Sequence, residues 1–600
     1  MKYRLLKNSD NDISNVLRTV LKNRGITDYD TYLHLTDDVL IPYSKLDNIT
    51  EAIKCFIKHF ELGDKIAILA DSDCDGLCSS AMMYRYIKQL NEDYPVELIV
   101  HERNKSHGLS DGDFTIPKGT KLLIIPDAGT NDVESCKQLK KNGIDIVILD
   151  HHQKEFDNPY AVIVNNQISY DYSNKNLCGA GVTYKFLQAL DEALWVEFSD
   201  NYLDLCAFAN IADDMDIISF ETKRLIQKGF ANIQNEFFQA LIKAQEFSMN
   251  GEITMHNVSW FLAPVINGMI RIGSFEERQL MFKAAAGMYE EFEYNKRATK
   301  KAPAQTIIED IYERAARLAK NAKSRQDKLR SKGLDEVINL VGNIDDSDKV
   351  VMCDVTGHLD DGLTGITAIR VAEYYQRPCI LLNKHTRTDN DGNEIITYGG
   401  SMRNFDNSPV ENFQAVINSC PAFNYCMGHP NAAGIDIDIN RVDEAKQELN
   451  TALADIEYDS TYNVDFDLNK TTISYGLIKE MAELSDYVGK GFSEPLIACK
   501  FEFIRGDIEI MGKDEDTIKV IVNGVPFYFF KTNKNELGEW LNNTWNDNSQ
   551  VTVEVVGSPR INTFNGIKEL QVVVKDFNVL KIEDVDENQN SNNIDDEDVW

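Results

Sequence analysis

Three clusters of carboxylates and histidines each follow an apolar run of strand length. KIAILA runs into Asp71-Ser72-Asp73-Cys74-Asp75-Gly76, KLLIIP into Asp127, and IDIVIL into Asp150-His151-His152. A further pair, Asp213 and Asp214 in FANIADDMDI, follows an apolar helical stretch. If the three runs are strands of one parallel sheet, their carboxyl ends share the edge where ligands bind in open α/β sheets. Carboxylates a few ångströms apart raise one another's pKa, and divalent cations resolve that conflict. Oxygen donors with one or two imidazoles suit Mn²⁺ or Mg²⁺ better than zinc. Two such cations held close together are the usual device for phosphoester hydrolysis.

Each cluster alone has a plainer reading. A strand-end Asp is commonly a turn residue or helix cap. DSDCDG lacks the spaced oxygens and closing Glu of an EF-hand, and adjacent histidines are weak evidence. Their recurrence at three successive strand ends is what favours a metal centre.

The elements that must position these groups follow from hydrophobic pattern. KIAILAD, VELIVHE, KLLIIPD, IDIVILD and AVIVNN have strand length and carry Ile, Val and Leu at successive positions, as strands buried on both faces do. SSAMMYRYIKQL and VESCKQLKKNG between them read as crossover helices, which predicts a parallel α/β sheet. Residues 177–246 read as mostly helical. Residues 303–333 form a long charged helical pattern ending at Gly333, expected to connect two lobes. A second α/β unit opens with DKVVMCDVTG. From about 497 to 580, alternating runs such as TIKVIVNGVPFYFFK and QVTVEVVGSPRI predict a small β-barrel. The last residues, EDVDENQNSNNIDDEDVW, are acidic and polar.

Six hundred residues exceed one core, and 43% hydrophobic with 10% aromatic content suffices for several. No apolar run approaches the ~18–20 residues of a membrane-spanning helix. The N-terminus shows no signal peptide, and the eleven cysteines form no CxxC pair. A cytoplasmic protein with reduced thiols is expected. The net charge of −34 weakens a nucleic-acid reading without excluding it, because net charge does not report on a single groove.

DxDxDG, a strand-end Asp, DHH and a downstream helical Asp resemble, in order and context, the four motifs of the DHH phosphoesterases. LCGAGVTYKFLQAL, FLAPVINGMIRIG, GHLDDGLTGITAIRVAEYYQRPCILL, GGSMRN, MGHPNAAGIDI and GSPRINTFNGIKELQVVVKDF are similar to segments of the RecJ branch, so that the resemblance spans roughly residues 50–580. It implies an α/β fold: a DHH parallel-sheet domain (51–302) after a helical lead-in (1–50), and a connector helix (303–333). A DHH-associated α/β domain (334–456), a linker (457–496), an OB-like β-barrel (497–580) and an acidic tail (581–600) would follow. It also implies that Asp71, Asp73, Asp75, Asp127, His151 and Asp213 hold two Mn²⁺ or Mg²⁺, with Asp127 bridging. Asp150 would orient His151, and His152 would contact phosphate or donate a proton. Asp214 would be an outer carboxylate. Gly399 and Gly400 would let backbone approach an anion beside Ser401 and Arg403, and His429 would add a contact, with Gly428 and Gly434 shaping its loop. Arg103 would meet the 5′ end together with Arg403. The chain departs from the RecJ pattern at Met427, where GGH is usual, at NGMIRIG, where NxxGR is usual, and at His107, where an aromatic is usual.

The resemblance implies a 5′→3′ exonuclease of single-stranded DNA, acting in repair, recombination or replication. Phe501, Phe503, Phe527, Tyr528, Phe529 and Phe530 are candidates for stacking on bases, although alternate ones must be core. Two alternatives are a DHH nuclease of short oligoribonucleotides or cyclic dinucleotides, and a non-catalytic replication scaffold. The tail's Asp595, Asp596, Glu597 and Asp598 before Trp600 suggest docking on a single-strand-binding or other replication protein.

Overall fold

A computed structural model describes residues 1–6, 13–103, 106–110, 113–296, 298, 303–388, 394–405, 408–458, 461–512, 515–532, 536–543, 547–564 and 567–583. The acidic segment beyond 583, with Trp600, lies outside them. The chain divides into two compact units, residues 34–459 and residues 1–33 with 460–600.

In the larger unit, five parallel strands run in the order Val96–Val100, Lys65–Ala70, Thr120–Pro126, Asp145–Asp150 and Val162–Asn165. The Ile, Val and Leu of these strands are buried on both faces, one under Phe56, Met82 and Phe186 and the other under Leu109 and Cys136. From Lys65–Ala70 the chain crosses to one neighbour and then returns to the other. The crevice at that reversal lies between Asp71–Asp75 and Asp127, where open sheets bind ligands.

The helix expected over 303–333 spans Ile311–Val341. Residues Gln305–Asp310 pair instead as a strand with Glu291–Lys296, and the Asp310 carboxylate caps the helix by accepting from Glu313 N at 2.8 Å. Gly333 does not end it, for that glycine packs where a Cβ would lie 2.6 Å from Leu359 Cδ1. Ala315, Ala316, Ala319 and Ala322 sit in the core of the parallel-sheet domain, and Val337 in that of the second lobe. The helix is therefore a wall common to both cores.

The second lobe carries a sheet in the order Phe423–His429, Ala432–Asp438, Glu394–Arg403, Cys379–Thr388 and Val351–Asp354, antiparallel except for the last pair. One face packs on Phe413, Ile417 and Leu449. The other packs on the Asp361–Tyr375 helix through Leu363, Ala368 and Val371.

The smaller unit joins the ends of the chain. Lys2–Leu5 pairs in parallel with Thr461–Val464, and Phe466–Asn469 pairs with Ile497–Ile504. The lead-in and the expected linker therefore both contribute strands here. Seven strands form its mixed main sheet, built around the hairpin Gln550–Phe564 and Ile567–Glu583. Phe501, Phe503, Phe527, Tyr528 and Phe529 are buried, whereas Phe530 is 50% exposed. Five of the six stacking candidates are thus core. The reason is that Val525–Phe529 is covered on both faces, while Phe501 and Phe503 share the inward face of Ile497–Ile504 and pack on Phe527 and Phe529.

A candidate metal centre beside an arginine pocket

Asp71 ends its strand, and both its oxygens accept from one loop, Oδ2 from His107 Nδ1 at 2.6 Å and Oδ1 from Gly108 N at 3.0 Å. Asp73 caps the Cys74–Leu90 helix by accepting from Gly76 N at 2.8 Å. Asp75, in the first turn of that helix, accepts the amides of Gly179 and Ala180 at 2.6 and 2.7 Å. Those amides open the Gly179–Leu194 helix, whose N-terminus favours a carboxylate.

Asp127 is held differently. Its φ of +75° lies in the left-handed region, which Asp and Asn tolerate better than other residues with side chains. It is 1% exposed, and neither oxygen accepts a hydrogen bond from a described residue. His151 Nε2 stands 3.2 Å from Oδ1 without hydrogen-bond alignment, 3.4 Å from Asp213 Oδ2 and 3.8 Å from Asp75 Oδ2. Donor atoms of Asp71, Asp73 and Asp127 lie within 4.8 Å of one another, as do those of Asp75, His151 and Asp213.

Burial and the charges of Asp75, Asp73 and Asp71 push Asp127 well above the carboxylate range. Burial, with Asp71 and Asp75, pushes Asp73 up to about 6. Burial lowers His151, keeping the imidazole in the neutral form a metal requires. A buried carboxylate without hydrogen-bond donors is costly unless a cation meets it. The donor set of oxygens with one neutral imidazole fits Mn²⁺ or Mg²⁺. Burial holds the Cys78 thiol well above the usual range.

Asp150 departs from expectation. It does not orient the His151 ring. It accepts the backbone amides of His151 and His152 at 2.7 and 3.1 Å and the His152 ring Nδ1 at 2.7 Å. The chain turns back over the strand end, so both amides converge on one oxygen. Partial desolvation works against charge on His152, and the charge and hydrogen bond of Asp150 outweigh it, raising the imidazole. Asp214 is an exposed turn residue, φ +54°, after the Leu203–Ala212 helix.

Facing the carboxylates is a cavity of about 320 Å³, with Asp73, Asp75 and Asp213 on one side and Asn267, Arg271 and Arg403 on the other. Arg271 was not among the expected contacts. The i, i+4 spacing of Asn267 and Arg271 on an amphipathic helix was its available signal. That helix, Ala263–Ile272, follows a π-helical turn, Val258–Leu262, of the kind found at functional sites. Arg271 and Arg403 both line the cavity, and burial with the charge of Arg271 lowers Arg403 to about 10. Gly365 leaves room for Arg403, since a Cβ there would lie 2.6 Å from the guanidinium.

Other expected contacts are placed differently. Arg103 does not line this cavity; its side chain is 71% exposed, 3.7 Å from Asp113. Gly399 and Gly400 lie within a strand. A Cβ on Gly400 would meet Leu381 O at 2.5 Å, so sheet packing requires glycine there, whereas a Cβ on Gly399 would meet only the side chain of His385, its ring at 2.6 Å. Gly434 is likewise within a strand and shapes no loop, whereas Gly428 has φ +140°. Ser401 Oγ lies 3.1 Å from Thr364 Oγ1. His429 ends its strand close enough to His151 to act on its charge.

A family model for the DHH family N-terminal domain matches residues 65–209, and one for the RecJ OB domain matches residues 464–576. The SPbeta prophage-derived protein YorK of Bacillus subtilis is 33% identical, over 97% of this chain and 99% of its own. The chain belongs to the DHH family, in its RecJ branch. The single-stranded-DNA-specific exonuclease RecJ of Bacillus subtilis is 25% identical to this RecJ-family chain, over 94% of it and 68% of the relative. The crystal structure of RecJ in complex with Mn²⁺ from Thermus thermophilus matches its fold with a TM-score of 0.69 at 19% identity, covering 96% of this chain and 78% of that one.

Proposed function

We propose that this chain is a divalent-metal-dependent exonuclease that degrades single-stranded DNA from its 5′ end. The observation that carries the reading is the single cavity walled by metal-ligand carboxylates on one side and by Arg271 and Arg403 on the other. Asp73, Asp75, Asp127, His151 and Asp213 would hold Mn²⁺ or Mg²⁺, with Asp127 grouped with Asp71 and Asp73 and standing 3.2 Å from His151 of the other cluster. Asp71 adds a further oxygen or, since the loop at His107 and Gly108 engages both its oxygens, braces the edge. Such cations, when bound, acidify an attacking water and offset charge on the phosphate. The relatives' single-strand-specific activity and the RecJ structures with Mn²⁺ or Mg²⁺ support the same substrate and cations.

Arg271 and Arg403 would receive a terminal phosphate, whose oxygens a guanidinium fork matches. With that group seated as a 5′-phosphate, the next phosphodiester would lie at the carboxylate wall, the arrangement that polarity from the 5′ end requires. The His152 ring, fixed by Asp150, would contact the scissile phosphate or supply the proton to the departing 3′-oxygen. In the smaller unit, a groove of about 710 Å³ with Phe530 and Lys531 along it would bind the strand by stacking and charge. A role in repair, recombination or replication, and docking of a single-strand-binding or other replication protein on residues 581–600, extend the same proposal. Pull-downs with and without the tail test that extension.

Nucleotide release from strands bearing a 5′-phosphate or a 5′-hydroxyl, with Mn²⁺ present, tests the activity. We expect the phosphorylated strand to be preferred, and Arg271→Ala or Arg403→Ala to remove most of that preference with a loss of about 10²-fold. Degradation from the 3′ end, or full preference in both variants, would overturn the polarity.

A further inference from the structure

One face of the second lobe's sheet is only half covered. Directly paired residues share a face of a sheet, so Met427, Gly434 and Ser401 form one row and His429, Ala432 and Arg403 the next. The Asp361–Tyr375 helix covers this face as far as Ser401 and Arg403, where Gly365 packs on the guanidinium and Thr364 on the serine. Beyond that, among the described residues, the face is exposed at Gly434 and Met427. Met427 is 58% exposed and Tyr425, two residues along the same edge strand, 43%. A Cβ placed on Gly434 would find no atom nearer than 3.9 Å. The opposite face is closed, with Cys426, Ala433 and Ile435 in the core.

The result is a trough floored by Gly434. Met427 and Ser401 flank it two strand spacings apart, roughly 10 Å. Its inner end opens where Arg403 lines the anion cavity and His429 acts on His151. Its outer wall is a thioether beside a phenol ring, the chemistry that accepts the face of an aromatic ring rather than a charge. The glycine floor leaves room for a flat group to lie against that wall.

Resting on the exonuclease reading, we propose that Met427 is a nucleobase-contact residue. The base of the nucleotide whose phosphate meets Arg271 and Arg403 lies over Gly434 against the Met427 thioether, and Tyr425 extends the wall toward the next base. Because every base has a π-face, the contact contributes affinity without sequence preference. The family pattern GGH has no side chain at this position, so the contact belongs to chains that carry a larger residue there.

Two 5′-phosphorylated strands, identical except that the terminal nucleotide is normal or abasic, test this with the full-length protein and Mn²⁺. Wild type is expected to show a KM roughly 2- to 10-fold lower for the strand bearing the base, the range of a sulfur–aromatic contact. Met427→Gly should bring the KM ratio close to one, and Met427→Ala, which keeps a side chain for the edge strand, should move it the same way. A second readout needs no hydrolysis. With EDTA-treated protein, 2-aminopurine at the 5′ position should be quenched on binding to wild type and much less by either variant. If both variants hydrolyse the strands with the wild-type ratio and quench equally, the base site is overturned and the exonuclease reading stands. If wild type releases no nucleotide but quenches 2-aminopurine in a Met427-dependent way, the exonuclease reading fails and the base site stands. Binding of a protein partner lost on Met427 substitution, with unchanged quenching, would reassign the patch and overturn the proposal.

Discussion

At Asp127 backbone and charge both run against ordinary preference. A left-handed φ and a buried carboxylate without hydrogen-bond donors each cost stability, and such strain persists where function needs it. Asn tolerates that backbone and removes the charge. At pH 8, metal-free Asp127→Asn should therefore be more stable than metal-free wild type by at least ~1 kcal/mol, the scale of one pKa unit. Mn²⁺ should no longer raise its Tm as it does in wild type, and turnover should fall at least ~10²-fold. Calorimetry with and without metal checks this, and a metal-free variant less stable than wild type would contradict the charge account. Asp73 supplies a pH dependence. Its folded pKa is raised from 3.8 to about 6, so the folded state holds a proton that the unfolded chain has lost between those values. Stability of the metal-free protein should fall as pH rises through that window and stay lower above it. Metal competes with the same proton, so the Tm gained on adding Mg²⁺ should widen from pH 5 to pH 7. Asp73→Asn should flatten both slopes.

At the scale of elements, the Gly179–Leu194 helix organises the centre, because its first two amides fix Asp75 while Gly179 lies against Asp127. A Cβ on Gly179 would stand 2.5 Å from Asp127 Oδ1 and 2.7 Å from its Cα, and backbone cannot yield as a flexible side chain can. Gly179→Ala should cost about 1–3 kcal/mol. It should also weaken Mn²⁺ binding by roughly 10–100-fold, the range seen when groups supporting metal ligands are disturbed. Titration calorimetry and a thermal melt measure the two effects, and unchanged metal affinity would show that Asp127 need not stay where it is. Gly400 shows a different case: its glycine character answers to a neighbouring strand, where a Cβ would stand 2.5 Å from Leu381 O.

Across the whole molecule, the two ends of the chain make one unit. Arg24 is buried there, donating to both oxygens of Asp465, at 2.9 Å for the Nη2 contact, and to the carbonyls of Ser493 and Glu494. Both partners' side chains are nearly inaccessible, 3% and 0% exposed. Removing one partner of such a pair leaves a buried charge, so Arg24→Ala should destabilise this unit by about 3–5 kcal/mol. Calorimetric unfolding should show the loss in the transition that also responds to a core substitution such as Phe501→Ala. If Arg24→Ala melts like wild type, the N-terminal segment is not a structural part of that unit.

The chain's own pattern determined the five parallel strands, because short Ile, Val and Leu runs between helix-like segments suit strands of a sheet covered on both faces. It likewise determined the candidate ligands, since strand ends of a parallel sheet share an edge whatever else surrounds them. The same pattern marked a second α/β unit and a C-terminal β unit, and family resemblance then gave them their likeness to a DHH-associated domain and an OB-fold. Tertiary structure alone decided which residues meet across long separations. QTIIED reads as helix until its partner strand claims it, and Lys2–Leu5 finds its neighbour more than four hundred residues away. The contrast between Arg271, inside the anion cavity, and Arg103, outside it, depends on how a helix after Pro264 and a loop after Val100 are aimed. Local preference does not encode that direction. Asp150 turned to His152 for the same reason, because two consecutive amides over one carboxylate are a property of the chain's path, not of its residue types.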